Sequence, residues 1–309
     1  PLLAIPFFIL AGKLMESGGI SRRLIHLAQV MLGRVRGGLA LVSIISCTFF
    51  AALSGSAAAT TAAVGAIMIP AMVKKGYDKN FSTAIQAAGG TIGVIIPPSV
   101  PLVLFGVTAG VSISDLFLAG IIPGVFVTGA LLVLVYIISI IKGYGGGEKY
   151  NAKEFFIALK DSILALMMPV IILGGIYSGL FTATEAALVA VVYGMIVGVF
   201  IYREITLKDL YRIFSSATIM SASILFIIAG ASIFAYYLTR ERIPMQITEA
   251  LLSITDNWIV ALLIINVILL IVGTFMETAA AILILTPILA PVASALGIDL
   301  VHFGIIMIV

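Results

Sequence analysis

Leu53-Ser54-Gly55-Ser56-Ala57-Ala58-Ala59-Thr60-Thr61 stands at the centre of an apolar stretch that runs from 37 to 73. Its small and polar residues separate two apolar arms of roughly 15–17 residues, and a bilayer crossing takes about 20. A second stretch, 258–294, has the same plan, with Gly273-Thr274-Phe275-Met276-Glu277-Thr278 at its middle. Two such arms make either a pair of short spans or one re-entrant hairpin.

Outward from these stretches the chain stays apolar. Of its 309 residues 62% are hydrophobic and 10% are charged, against roughly 25% charged in a soluble domain. Mean hydropathy is +1.26. This excludes a water-soluble enzyme, a nucleic-acid binder and a disordered chain. The one cysteine, Cys47, leaves no internal disulfide, and with only His26 and His302 beside it there is no Cys/His metal site. The chain reads as an all-α polytopic membrane protein, a single unit over 1–309. It opens at Pro1 and stops inside the apolar run Phe303–Val309, which reads as the interior of a longer protein.

Charged residues punctuate spans near 82–110, 116–141, 162–179, 183–202 and 213–238. Thr182-x-x-Glu185 forms a capping box that opens a span. Thr206-x-x-Asp209 and Asn151-x-x-Glu154 each open a short surface helix. Gly143-Tyr-Gly-Gly-Gly147, beside Glu148 and Lys149, reads as a loop.

The basic residues decide between spans and hairpins. With both stretches re-entrant, Arg34, Arg36, Lys74, Lys75 and Lys79 flank the first hairpin on one side. All 17 basic residues then share that face except Arg240 and Arg242. The positive-inside rule makes it cytoplasmic. The second hairpin enters from the other side, flanked by Asp256, Asn257 and Asp299. Pro70, Gly76 and Asp78 recur as Pro291, Gly297 and Asp299 at a constant offset of 221 (291 less 70). Each hairpin follows an amphipathic stretch of the kind that lies along a membrane surface. In 21–34, Arg22, Arg23, His26 and Gln29 oppose Leu24, Leu27 and Met31. In 243–256, Gln246, Glu249 and Ser253 oppose Ile247, Leu251 and Ile254. One half repeats the other upside down, which builds a midplane site able to face either side. On this reading 37–127 carries the first hairpin and a broken helix, 128–212 the connecting spans, and 213–309 a scaffold span and the second hairpin.

The Ser54-Gly55-Ser56 tip is the first candidate site. A helix that ends there offers carbonyls to a cation, and one that begins there offers N–H groups to a carboxylate. The alternative is a small-residue packing notch. In Gly89-Gly-Thr-Ile-Gly-Val-Ile-Ile-Pro-Pro-Ser99-Val-Pro101, Pro97 frees the Gly93 carbonyl, Pro98 that of Val94 and Pro101 that of Pro97. Bare carbonyls in a membrane face protein, water or an ion. With the Ser99 hydroxyl they read as a discontinuous helix bearing a sodium-sized oxygen cage; the alternative is a plain kink. Glu277 is deep in an apolar element and so functional by default, binding a cation, a proton or substrate. The alternative is a cap on the Thr278–Pro287 arm. Glu185 reads as a cap, Cys47 as core packing, His26 as a polar-face residue of the surface helix, and His302 as a residue that could face a cavity. Tyr236, Tyr237 and Trp258 read as interfacial anchors.

At these residues the chain resembles the large membrane subunit of TRAP transporters, the tripartite ATP-independent periplasmic carriers. The matching stretches are Pro6-Phe-Phe-Ile-Leu-Ala-Gly12, Leu53–Ser56, Ile96–Ser99, Leu118-Ala-Gly-Ile-Ile-Pro-Gly124, Gly179-Leu-Phe-Thr-Ala-Thr-Glu-Ala-Ala187 and Ile282-Leu-Ile-Leu-Thr-Pro287. The resemblance implies a sodium-coupled importer of organic anions, such as C4-dicarboxylates, sialic acids or related sugar acids, in a bacterial inner membrane. It implies two partners, a small four-helix membrane subunit and a periplasmic substrate-binding protein, and an elevator motion. It implies no cofactor beyond the coupling sodium ions. Ser54, Gly55, Ser56, Gly93, Val94 and Pro97 would form one sodium site, and Gly273, Thr274 and Met276 would contribute to another. Ser56, Ser99 and Glu277 would face the substrate. Family members begin with a further span and continue past Val309 into an Ile-Gly-x-x-Thr-Pro-Pro motif, the inverted partner of Gly93–Ser99. The competing reading is a sodium–dicarboxylate symporter of related fold that needs no binding protein. Two closed hairpins argue against a channel, and no nucleophile–base pair points to an enzyme.

Overall fold

The computed structural model describes residues 2–146, 151–255 and 257–309. Gly147, Glu148 and Lys149 of the expected loop, Asp256, and the side chain of Ile254 lie outside the described residues. The elements are helices α1 (Ala4–Ser17), α2 (Ile20–Leu32), α3 (Gly38–Ser54), α4 (Ala57–Lys74), α5 (Lys79–Ile95), α6 (Val100–Ala109) and α7 (Ile113–Ile141). There follow α8 (Ala152–Tyr177), α9 (Ala183–Met195) with a π-helical turn at Ile196–Ile201, and α10 (Leu207–Arg240). The last are α11 (Ile243–Ile254), α12 (Trp258–Phe275), α13 (Thr278–Ala295) and α14 (Leu300–Ile308). Among the described residues seven helices are long and apolar enough to cross a membrane, or eight if α5 and α6, bent by 42° at their break, count as one span. This is an all-α, multi-pass architecture.

Local chemistry sets the helix starts. Asp78 accepts from the Phe81 N–H at 2.8 Å, Ser112 caps α7, and all three expected capping boxes form. Two of them do something different from the expectation. Asn151 and Thr206 open α8 and α10 themselves, not short surface helices. No glycine or proline stands between either cap and the apolar span, so the helix propagates through its charged first turns. The arms of the two stretches measure 17 and 18 residues, then 18 and 18, longer than counted from composition because they run up to their polar caps.

The repeat is visible in helix boundaries. Adding 221 to the limits of α4 gives those of α13, and adding it to the start of α5 gives that of α14. Gly76 and Gly297 both turn the chain with left-handed backbone, φ +88° and +73°. Asp78 and Asp299 both cap the helix that follows. The surface helices also correspond, though their apolar faces differ from the expected ones. Leu24 and Leu27 are buried but Met31 is exposed, and α11 buries Thr248 and Leu251 while Ile247 is exposed. The Arg23 side chain anchors α2, pairing with Glu204 at 2.6 Å and lying 3.8 Å from the Tyr202 ring centre.

Two hydrophobic cores meet beside the first tip. One takes Ile44, Cys47, Ala51, Met68, Ile85 and Ile92 from α3, α4 and α5. The other takes Leu53 and Val94 together with residues of α1, α6, α9, α13 and α14. Cys47 is a core residue, as expected: it is buried, and Gln86 Nε2 donates to its Sγ at 2.9 Å.

Candidate functional site

The first tip is a tight reversal. α3 ends at Ser54, Gly55 takes left-handed backbone (φ +59°), and Ser56 caps α4 by accepting from the Ala59 N–H at 3.4 Å. Three oxygens gather there. Ser54 Oγ lies 2.9 Å from Thr60 Oγ1 and 3.4 Å from the Ser56 carbonyl, and Thr60 Oγ1 donates to that carbonyl at 2.8 Å. Hydroxyls and carbonyls of this kind are ligands for a hard cation.

The tip is seated in the break between α5 and α6. Val100 N–H donates to the Gly55 carbonyl at 3.3 Å. A Cβ on Gly55 would stand 2.8 Å from the Pro98 carbonyl oxygen, and one on Gly93 would stand 2.6 Å from that of Ser56 and 2.7 Å from Thr60 Oγ1. Ser54, Gly55, Ser56 and Gly93 thus lie close together, with the Pro98 carbonyl beside Gly55. Two details of the expected oxygen cage differ. The Val94 carbonyl is not bare, because the Ser99 hydroxyl donates to it at 2.5 Å. Pro101 is in the first turn of α6, where it costs no helical bond and frees no carbonyl. Ser99 is buried, 1% exposed, and also caps α6.

At the second tip Met276 is extended and Glu277 caps α13, its Oε2 accepting from Ala279 N–H at 2.8 Å and Ala280 N–H at 3.3 Å. Glu277 is exposed, not a deeply buried carboxylate. Its apolar neighbours in α12, Leu270, Ile271 and Phe275, are exposed as well, so an apolar sequence around it does not bury it.

A cavity of about 440 Å³ joins the tips. Ser54, Gly55 and Ser56 line it on one side and Met276, Glu277 and Thr278 on the other. The first residues of α4 and of α13 both face it, so two helix N-termini converge, that of α13 already capped by the Glu277 carboxylate, and Lys13 and Glu16 add one charge of each sign. Val94 and Pro101 also line it, whereas Gly93, Pro97 and Ser99 stand outside the lining. Gly273, Thr274 and Met276 share a second cavity of about 440 Å³ with Thr91 and Asn266. Sequence reading missed Thr60, whose signal was its place one helical turn after Ser56. It also missed Lys13 and Glu16, which line the tip cavity from α1, and no motif marks them.

The sequence matches the family described as "Tripartite ATP-independent periplasmic transporter, DctM component" over residues 1–309. It is 51% identical over 310 residues to the isethionate TRAP transporter permease protein DctMQ of Oleidesulfovibrio alaskensis, a match covering all of this chain and 49% of that one. It is 44% identical over 308 residues to the C4-dicarboxylate TRAP transporter large permease protein DctM of Pseudomonas aeruginosa, covering all of this chain and 72% of that one. It is 42% identical over 307 residues to the sialic acid TRAP transporter large permease protein SiaM of Vibrio cholerae, covering 99% of this chain and 72% of that one. The chain thus spans about half the length of the first relative and 72% of the other two. A match along its whole length, over helices that suit repeated membrane crossing, makes this chain a multi-pass inner-membrane protein that belongs to the DctM component family of the tripartite ATP-independent periplasmic transporters.

Proposed function

We propose that the protein is the large permease of a sodium-coupled importer of organic anions. Its substrate is a C4-dicarboxylate, a sialic acid or a related acid, the class named for its relatives. A periplasmic binding protein delivers the anion, and a small four-helix membrane subunit completes the complex. The observation that carries the reading is the cavity shared by the two tips, with a helix N-terminus from each half facing it. Ser54, Gly55, Ser56, Gly93, Val94 and Pro97 hold one sodium ion beside it, with Thr60 as a further hydroxyl. Gly273, Thr274 and Met276 contribute to a second. Ser56 and Glu277 face the substrate, and Ser99 acts from behind through the Val94 carbonyl. Both stretches are re-entrant hairpins open to opposite faces. They travel as an elevator against a scaffold, so that one midplane site serves both sides.

The test reconstitutes the full-length membrane subunits in proteoliposomes with a sodium gradient and a panel of organic acids, with and without the binding protein. Uptake that needs both sodium and the binding protein is the expected result. Sodium-driven uptake of free acid without that protein would instead support an independent symporter.

A further inference from the structure

Two openings lie end to end along one face of α10. The tip cavity is lined there by Met220, Ser223, Ile224 and Ile227. Towards the start of the helix lies an open cleft of about 550 Å³ between α1 and α10, lined by Lys13, Lys208, Tyr211, Arg212, Ser215 and Ser216, with Ile219 and Met220 at its end nearer the tip cavity. Positions 208, 212, 215, 219, 223 and 227 advance by three or four residues and so form one stripe, about 28 Å long at 1.5 Å per residue. Lys13 and Met220 line both openings.

Every charged side chain lining the cleft is basic. Neither Lys13 nor Lys208 has an ion-pair partner among the described residues. Asp209, the nearest acid on α10, is engaged in its cap, accepting from the Thr206 N–H at 3.0 Å and from its hydroxyl at 2.6 Å, and it offsets only part of the Arg212 charge beside it. Tyr211, Ser215 and Ser216 add hydroxyl donors. A concave surface of one sign, with apolar walls, concentrates ions of the other sign, and a guanidinium with hydroxyls beside it suits a carboxylate.

We infer that this cleft is a second anion-binding site, an antechamber that receives the transported organic anion as it leaves the tip cavity, with Lys13 the cation that serves both openings. The identity of the ligand rests on the importer reading above. With the basic residues on the cytoplasmic face, as the positive-inside rule has them, the cleft opens to the cytoplasm. The same chemistry suits the headgroup of an anionic lipid, and the test separates the two.

The experiment uses the full-length membrane subunits in proteoliposomes, with a sodium gradient and the substrate-binding protein present. Ser216→Cys places a thiol in the cleft, and the buried Cys47 gives the background, measured in the parent. Two methanethiosulfonate reagents of similar size, one sulfonate and one trimethylammonium, are compared from the cytoplasmic side. The anionic reagent should react about tenfold faster, and Lys208→Gln with Arg212→Gln should remove the preference. Succinate, N-acetylneuraminate and isethionate are then added in turn. Whichever is taken up should slow labelling equally in vesicles with and without phosphatidylglycerol. Equal rates for the two reagents, or a preference that survives in the double variant, overturn the antechamber. So does protection by phosphatidylglycerol with none by a transported acid, which makes the cleft a lipid site. Uptake without protection leaves the importer reading standing and removes only the antechamber. No uptake across a broad panel of acids removes the importer reading, and with it the antechamber's ligand.

Discussion

Ser56 and Glu277 are equivalent residues of the two halves: 221 positions apart, each caps the second arm of its stretch, and each lines the same cavity. They differ in charge. The pair therefore allows the capping role of Glu277 to be separated from any role towards a ligand.

Glu277→Ser copies the first tip into the second. Serine is as good a cap as a carboxylate, whereas Glu277→Ala should cost about 1 kcal/mol. The serine variant should melt with the parent and change the half-saturation for substrate severalfold, as read from uptake. An unchanged half-saturation would confine Glu277 to capping.

Thr60→Val removes a hydroxyl but keeps the shape of the side chain. The Ser56 carbonyl and Ser54 Oγ each lose a partner, a loss of about 1–3 kcal/mol at a buried site. Sodium half-saturation should rise, and Ser54→Ala should raise it likewise. The double variant should fall short of the sum, because the two hydroxyls touch. Full additivity would show that they do not act on one ion.

Gly93→Ala drives a methyl group against the Ser56 carbonyl and Thr60 Oγ1. Overpacking of this kind costs about 1–3 kcal/mol. The expected result is a folded protein with weakened sodium dependence, measured by sodium-titrated uptake beside a melting curve. Gly129→Ala, with open space around it, is the control and should behave as the parent.

Orientation is tested with single thiols at Lys74 and Ser253, both exposed. Membrane-impermeant labelling should reach them from opposite faces. Labelling of both from one side would rule out the inverted arrangement.

Features made by neighbours in sequence were legible from the chain alone. The capping boxes at Asn151, Thr182 and Thr206 and the break at 96–99 depend on residues within a turn or two of one another, and the 221-residue offset shows as recurring Pro, Gly and Asp. Features made by distant packing were not. Glu277 stands among apolar letters, yet it is exposed, since its surroundings are set by where α12 and α13 go rather than by what they contain. Lys13 and Glu16 reach the cavity only because α1 packs beside the first tip and α10. Charges near Asn151 and Thr206 suggested separate surface helices, but nothing in those sequences breaks helical propagation into α8 and α10.

With the Gly55 main chain resting on that of Pro98 and Val100, the first tip has no slack against the broken helix. Side chains at an interface can change rotamer to absorb shear; two main chains at contact distance have none to spare. Prising the tip away would break the Val100-to-Gly55 hydrogen bond and strand both groups in apolar surroundings. The tip and the break are therefore braced main chain against main chain, and a residue larger than glycine at 55 would have to force them apart.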